Sequence, residues 1–250
     1  MTVQTDSELF VHYDESRYGF DQIDTTDSLG AINPSSSRTG SHIFNHLALS
    51  RKEGVDASGK RQLDIVLGLL ILLLASPIML VTMMLIWLSS MGRSPVFYRQ
   101  IRVGLKGREF YVLKFRSMHT DAEKNGAQMA IKNDSRVTLI GRFIRKTRID
   151  ELPQLLNVLK GEMSLVGPRP ERPEFVSKFQ REIRGYALRH QVKPGITGWA
   201  QVKYPYGEGV EDAANKLYYD LTYVRKNSVL FDLFILILTI PVVLTGEGAH

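Results

Sequence analysis

Ile65 to Leu88 is an almost unbroken apolar run, IVLGLLILLLASPIMLVTMMLIWL, and a helix that is apolar all round belongs in a membrane or a large core. As one straight helix it would reach about 36 Å, enough to cross a hydrocarbon core of about 30 Å. Ser76-Pro77 lies at its midpoint. Proline lacks the amide that the helix would use there and clashes with the preceding turn, so a break or sharp kink is expected. Each half would then reach about 17 Å, roughly halfway through a bilayer. Arg51, Lys52, Lys60 and Arg61 precede the run, and Arg93, Arg99, Arg102, Lys106 and Arg108 follow it. Basic residues at both ends give no orientation and make both ends look cytoplasmic. From the residues alone, a kinked spanning helix and a re-entrant hairpin both stand.

Charge divides the chain at the same place. Residues 1–59 hold 9 acidic and 4 basic side chains, net −5, and residues 60–250 hold 17 and 28, net +11. The first part is rich in Asp, Ser, Thr and Gly with scattered apolar residues, so it reads as an acidic, disordered tail. Its opening, Met1 to Phe20, lacks the basic start and apolar middle of a secretion signal. The basic remainder suits an anionic partner such as lipid headgroups, nucleic acid or a phosphorylated substrate. The absence of cysteine excludes thiolate catalysis and thiolate metal sites. The organisation expected is a tail over 1–59, a membrane hairpin over 60–92 and a catalytic domain over 93–250.

Within that domain, Val96 to Phe115 alternates apolar and basic residues around Gly104-Leu-Lys-Gly107, which predicts a β-hairpin with basic side chains on its open face. Helical spacing follows over Val137–Lys146, Leu152–Leu159 and Glu174–Leu188. Lys193 to Gly209 reads as a loop. Val229 to Leu244 is apolar but short and interrupted by Asp232 and Pro241, which predicts an interfacial helix or one packed on the hairpin.

Asp150-Glu151-Leu152-Pro153 opens one of the helices, where acids commonly cap amides and complement the dipole. Arg142, Arg145, Lys146 and Arg148 lie just upstream, and Arg169 sits between Pro168 and Pro170. So many cations around two carboxylates suit a phosphate-handling site. Adjacent helical residues diverge by about 100°, so one carboxylate can attack phosphorus while the other holds a divalent ion. Mg²⁺, which is commonly shared between one or two carboxylates and substrate phosphates, is the natural choice, with Asp150 and Glu151 as its ligands. His119 and His190 have no partner in view and read as structural, and Trp199 as locally packed or interfacial.

Four segments carry a resemblance: Lys114-Phe-Arg-Ser-Met118; Arg145-Lys-Thr-Arg-Ile-Asp-Glu-Leu-Pro-Gln-Leu-Leu-Asn157; Gly161-Glu-Met-Ser-Leu-Val-Gly-Pro-Arg-Pro170; and Lys193-Pro-Gly-Ile-Thr-Gly-Trp-Ala-Gln-Val202. In this order they resemble the bacterial sugar transferases, the monotopic phosphoglycosyl transferases, from about Lys60 to the C-terminus. The resemblance implies that Asp150 attacks the sugar-bearing phosphate of a UDP-sugar and expels UMP. The phosphate of undecaprenyl phosphate then takes the sugar phosphate from the aspartyl intermediate. It further implies Mg²⁺ at Glu151, phosphate contact at Arg145, and places for Lys114, Arg116 and Arg169 near the site. It makes the Ser76-Pro77 segment a re-entrant hairpin in the bacterial inner membrane, with the active site facing the cytoplasm.

The fold expected is therefore mixed α/β and mostly helical: a cytoplasmic catalytic domain on a re-entrant membrane hairpin, with a C-terminal interfacial helix. Lys203-Tyr-Pro-Tyr-Gly-Glu-Gly209 departs from many members, in the direction of the exopolysaccharide branch, and leaves the sugar open. Homodimerisation is open as well. Three other readings compete. A non-catalytic membrane-docked partner of polysaccharide assembly would use Asp150 only as a cap. A hydrolase would release free sugar phosphate. Nucleic-acid binding lacks any motif.

Overall fold

The computed structural model describes residues 57–124, 126, 134–204 and 209–245. All but the end of the expected acidic tail lies outside these residues, as do positions 205–208 of the divergent Lys203–Gly209 stretch. The described chain is mixed α/β and mostly helical, as expected.

Helix α1 (Ala57–Ser89) takes in the whole apolar run and is the one described helix long and apolar enough to cross a membrane. Helical structure runs through Ser76-Pro77 without interruption, so of the break or sharp kink expected there no break is present. One carbonyl freed by the proline is answered locally. Pro77 cannot donate to the Leu73 carbonyl four residues earlier, and the Ser76 hydroxyl donates to that carbonyl instead, at 2.8 Å. The serine supplies the donor that the proline lacks.

One face of α1 is packed along its length. Asp64, Gly68, Met79, Thr82 and Ile86 are buried, with Ile71, Leu72 and Ala75 half-buried between them. These positions recur every three or four residues and share a stripe. The opposite face exposes Leu69, Leu70, Leu73, Leu74, Leu80, Val81 and Leu85. Burying such a side chain is worth about 1.5–3 kcal/mol, so a face of seven left in water would forgo more than a typical domain's net stability. The face calls for an apolar environment.

The root of α1 is tied down by polar bonds. Asp64 accepts from Ser164 Oγ and the Leu165 amide, both at 2.9 Å. Arg61 donates to the carbonyls of Val158 and Leu159 at 2.6 and 2.7 Å. Lys60 pairs with Asp232 and donates to the Val166 carbonyl at 3.0 Å. Lys60 and Arg61, read from sequence as basic flanks, are internal cross-links.

Strands β1 (Phe97–Val103) and β2 (Glu109–Phe115) form the expected hairpin, with Phe97 opposite Phe115 and Tyr98 opposite Lys114. Its basic residues do not all face outward: Arg99 is exposed, whereas Arg102 and Lys114 share the inner face. Helices α2 (Leu139–Lys146) and α3 (Gln154–Lys160) lie where the periodicity placed them. Ile144 of α2 packs with Phe115, Met79 and Ile86, joining the far end of α1 to the domain. Both ends of α1 therefore rest on the same body.

Strand β3 (Ser164–Val166) pairs in parallel with β4 (Gly195–Thr197), inside the segment expected to be a loop. Three-residue strands show no alternation to detect. The pair depends on glycine: a Cβ on Gly195 would stand 2.1 Å from the Gly167 amide nitrogen. Helix α4 (Pro173–Glu182) ends earlier than predicted, before Gly185 at φ 75°, and a 3₁₀ segment, Tyr186–Gln191, continues the chain. Short α5 (Trp199–Lys203) and long α6 (Val210–Lys226) follow. The predicted apolar C-terminal segment is one helix, α7 (Val229–Thr245), which carries Pro241 within it. Asp232 is buried, with Tyr223 Oη donating to it at 2.7 Å.

Candidate active site

Asp150 and Glu151 lie on a 3₁₀ turn, Ile149–Glu151, directly before Pro153 and α3. Arg148 leads into the turn with left-handed backbone, φ 56° and ψ 14°, an uncommon conformation for a non-glycine residue and one that recurs at functional sites. Neither carboxylate caps a helix, because no side-chain cap bond forms at this turn or at α3. The capping role weighed from sequence is thereby removed.

The two carboxylates differ sharply in their partners. Glu151 Oε1 accepts from Lys114 Nζ at 2.7 Å and from an Arg169 terminal nitrogen at 2.6 Å, and Oε2 accepts a longer 3.3 Å bond from Arg169. Burial alone would raise the Glu151 carboxyl, but the charges of Arg169 and Lys114 outweigh it and hold it well below the usual range. Asp150, equally buried, has no side-chain hydrogen bond or ion pair among the described residues. Burial and the charge of Glu151 push its pKa up to about 6, against the pull of Lys114, Arg145 and Arg169. One carboxylate is fixed and ionised, and the other is unencumbered and less stabilised as an anion. That is the pattern of a nucleophile beside its orienting partner.

Both carboxylates line a cavity of about 1240 Å³, above the 300–1,000 Å³ usual for a single small ligand. Its wall also carries Lys114, Arg116, Arg145, Arg148 and Arg169, and over the whole lining Lys and Arg outnumber Asp and Glu by eleven to six. The cavity thus brings together Lys114, Arg116, Arg145, Asp150, Glu151 and Arg169, whereas Ser76 and Pro77 lie apart from it within α1. Lys114 and Arg169 touch Glu151, whereas Arg116 and Arg145 face the same cavity without bonding either acid. Trp199 packs edge-on against Phe231, with centroids 5.2 Å apart, and His190 is buried edge-on to Tyr186, with centroids 6.3 Å apart.

The loop that presents Arg169 is fixed through its carbonyls. Pro168 O accepts from the Gly195 amide at 3.0 Å and Glu171 O from the Val103 amide at 2.9 Å. Between them, Arg169 O accepts from Arg189 and Pro170 O from Arg102, each at 2.9 Å. Arg189 is in turn held by Asp220 at 2.7 Å. Four successive carbonyls are thus engaged by donors from elsewhere, which sets where the Arg169 guanidinium can reach. Sequence reading did not find Arg189 or Asp220. A trace existed in Asp220, an acid among apolar positions of α6, since buried charges require partners.

No cluster of three metal-ligating side chains occurs among the described residues. Mg²⁺ needs only one or two carboxylates when substrate phosphates and water complete its shell. The free carboxylate of Asp150 and the lightly engaged Oε2 of Glu151 fit that requirement.

Comparison with known proteins agrees with this geometry. Residues 55–246 match the family described as bacterial sugar transferase. Over 191 residues, 76% of this chain and 45% of the relative, it is 50% identical to the UDP-N-acetylgalactosamine-undecaprenyl-phosphate N-acetylgalactosaminephosphotransferase of Aeromonas hydrophila. It is 47% identical to the UDP-glucose:undecaprenyl-phosphate glucose-1-phosphate transferase of Escherichia coli (strain K12), over 75% of this chain and 40% of that protein. A Caulobacter vibrioides (strain ATCC 19089 / CIP 103742 / CB 15) protein of the latter name is 42% identical over 76% of this chain and 72% of its own length. The chain spans less than half the length of the first two relatives and most of the third. With its fold, its paired carboxylates and a match that runs from the start of α1 to the end of α7, the chain belongs to the bacterial sugar transferase family.

Proposed function

We propose that this chain transfers a sugar 1-phosphate from a UDP-sugar to undecaprenyl phosphate, with Asp150 as the nucleophile. The observation that carries the reading is the asymmetry of the dyad: a buried, unpaired Asp150 beside a Glu151 locked by Lys114 and Arg169. An Asp150 carboxylate oxygen bonds to the sugar-bearing phosphorus as the bond from that phosphorus to the UMP oxygen breaks, and UMP leaves with the electron pair. An oxygen of the lipid phosphate then attacks the same phosphorus and returns the carboxylate. Arg116, Arg145 and Arg148 offset phosphate charge during both displacements. Mg²⁺ held by Asp150 and Glu151 would supply further neutralisation of the diphosphate.

Purified protein with Mg²⁺ and undecaprenyl phosphate should release UMP from one or more of a panel that includes UDP-glucose and UDP-N-acetylgalactosamine. Release that needs neither lipid nor Asp150 would refute the reading. Free sugar phosphate as the product would convert it to the hydrolase.

The membrane placement belongs to the same proposal. Because both ends of α1 pack on one domain, they share one side of the bilayer, here the cytoplasmic side of the inner membrane, while the leucine face meets lipid. The sequence has no cysteine, so Gln62→Cys and Arg93→Cys give clean single probes at the two exposed flanks. Both should react with an impermeant maleimide in inside-out vesicles and neither in intact spheroplasts. Labelling from opposite sides would make α1 a spanning helix.

A further inference from the structure

The cavity has an apolar limb as well as its charged wall. Ile71 of α1 lines it, together with Leu236, Thr239, Val242 and Val243 of α7. Leu236, Thr239 and Val243 recur at helical spacing and share one face of α7. Leu233, Ile237 and Ile240 are exposed on another face. Val243 lines the cavity and is itself 40% exposed, so the limb opens there onto the apolar outer surface. Thr239, also in the lining, has its Oγ1 2.8 Å from Thr197 Oγ1, which pins α7 to β4.

We infer that this limb between α1 and α7 takes the first isoprene units of the polyprenyl phosphate acceptor, placing its phosphate against the cations around Asp150. The inference rests on the transfer reaction proposed above. The one polar side chain among these residues, Thr239, has its hydroxyl already bonded to Thr197 and to the Ile235 carbonyl, so a nucleotide or sugar in the limb would leave most of its hydroxyl and amide groups unpaired against Ile71, Leu236 and Val242, at a cost that such groups avoid. The acceptor chain is the one component of the reaction with a long apolar part, and the limb joins the carboxylates to the surface on which that chain would lie.

Full-length protein, Leu236→Phe and Val243→Trp are compared in nanodiscs. UMP release from UDP-sugar without acceptor, one equivalent per enzyme, isolates formation of the Asp150 adduct. Transfer to undecaprenyl phosphate and to tail-less methyl phosphate then reads the limb. Both variants should form the adduct as the parent does and use methyl phosphate equally well. Their KM for undecaprenyl phosphate should rise about tenfold, as expected for losing the burial of a few methylenes. An unchanged KM in both variants overturns the inference and leaves the limb to a bilayer acyl chain. Loss of adduct formation in both variants overturns it in favour of the donor. Failure of the parent to form the adduct would instead refute the transfer reaction itself.

Discussion

Asp150→Asn should give a protein with no detectable transfer that is nonetheless more stable than its parent. The loss of activity follows from the chemistry, because an amide cannot form the acyl phosphate. The gain in stability follows from the site. Asp150 makes no bond that Asn would forfeit, and its ionised form is penalised by burial and by Glu151. A carboxyl displaced from 3.8 to about 6 carries roughly 3 kcal/mol of unfavourable free energy once ionised. The sign is fixed by linkage. Below pH 3.8 the group is protonated in both folded and unfolded chains and adds nothing. The penalty grows between pH 3.8 and about 6 and is complete above it. Denaturant unfolding in detergent with EDTA should therefore show the Asn variant ahead at pH 7 and level with the parent near pH 3.5. Equal stability at both values would mean that Asp150 is not strained in the folded state and would weaken the nucleophile argument with it.

Glu151→Gln should be equally inactive but move stability the other way. Its carboxylate is the shared partner of Lys114 and Arg169, and an amide would leave both cations without the ion pair they share. Removing one member of a buried pair costs about 3–5 kcal/mol, which for a chain of this size lowers the midpoint by roughly 6–20 °C. The two variants thus share a phenotype in turnover and split in thermal melts. Destabilisation in both would mean that the carboxylates play one common structural role, and neither assignment would survive.

That split also marks how far the residues alone could lead. Periodicity located α2, α3 and the hairpin because each repeats one spacing over seven or more residues. The motif resemblance brought Lys114, Arg116, Arg145, Asp150, Glu151 and Arg169 to one place, and the cavity holds them all. The sequence could not separate the duties of Asp150 and Glu151, which depend on Arg169 arriving from 18 residues away and Lys114 from 37. The β3–β4 pair, only three residues per strand, left no pattern. The Ser76-Pro77 expectation weighed the missing proline amide but not the neighbouring hydroxyl that replaces it. Asp232 was noticed only as an interruption. A carboxylate in an apolar helix is better read as a demand for a cation, which Lys60 meets.

The bond between Lys60 and Asp232 joins residues 172 positions apart. At ribosomal rates of about 5–20 residues per second, the aspartate emerges roughly ten to thirty seconds after its lysine. Asp64 likewise awaits Ser164, 100 residues behind it. The apolar helix is made while its charged base still lacks every long-range partner it will acquire. A chain made only as far as α6 would already offer Lys60 the Val166 carbonyl and the Tyr223 hydroxyl but not the Asp232 carboxylate, so the charge at the base of the apolar helix is answered only when α7 arrives.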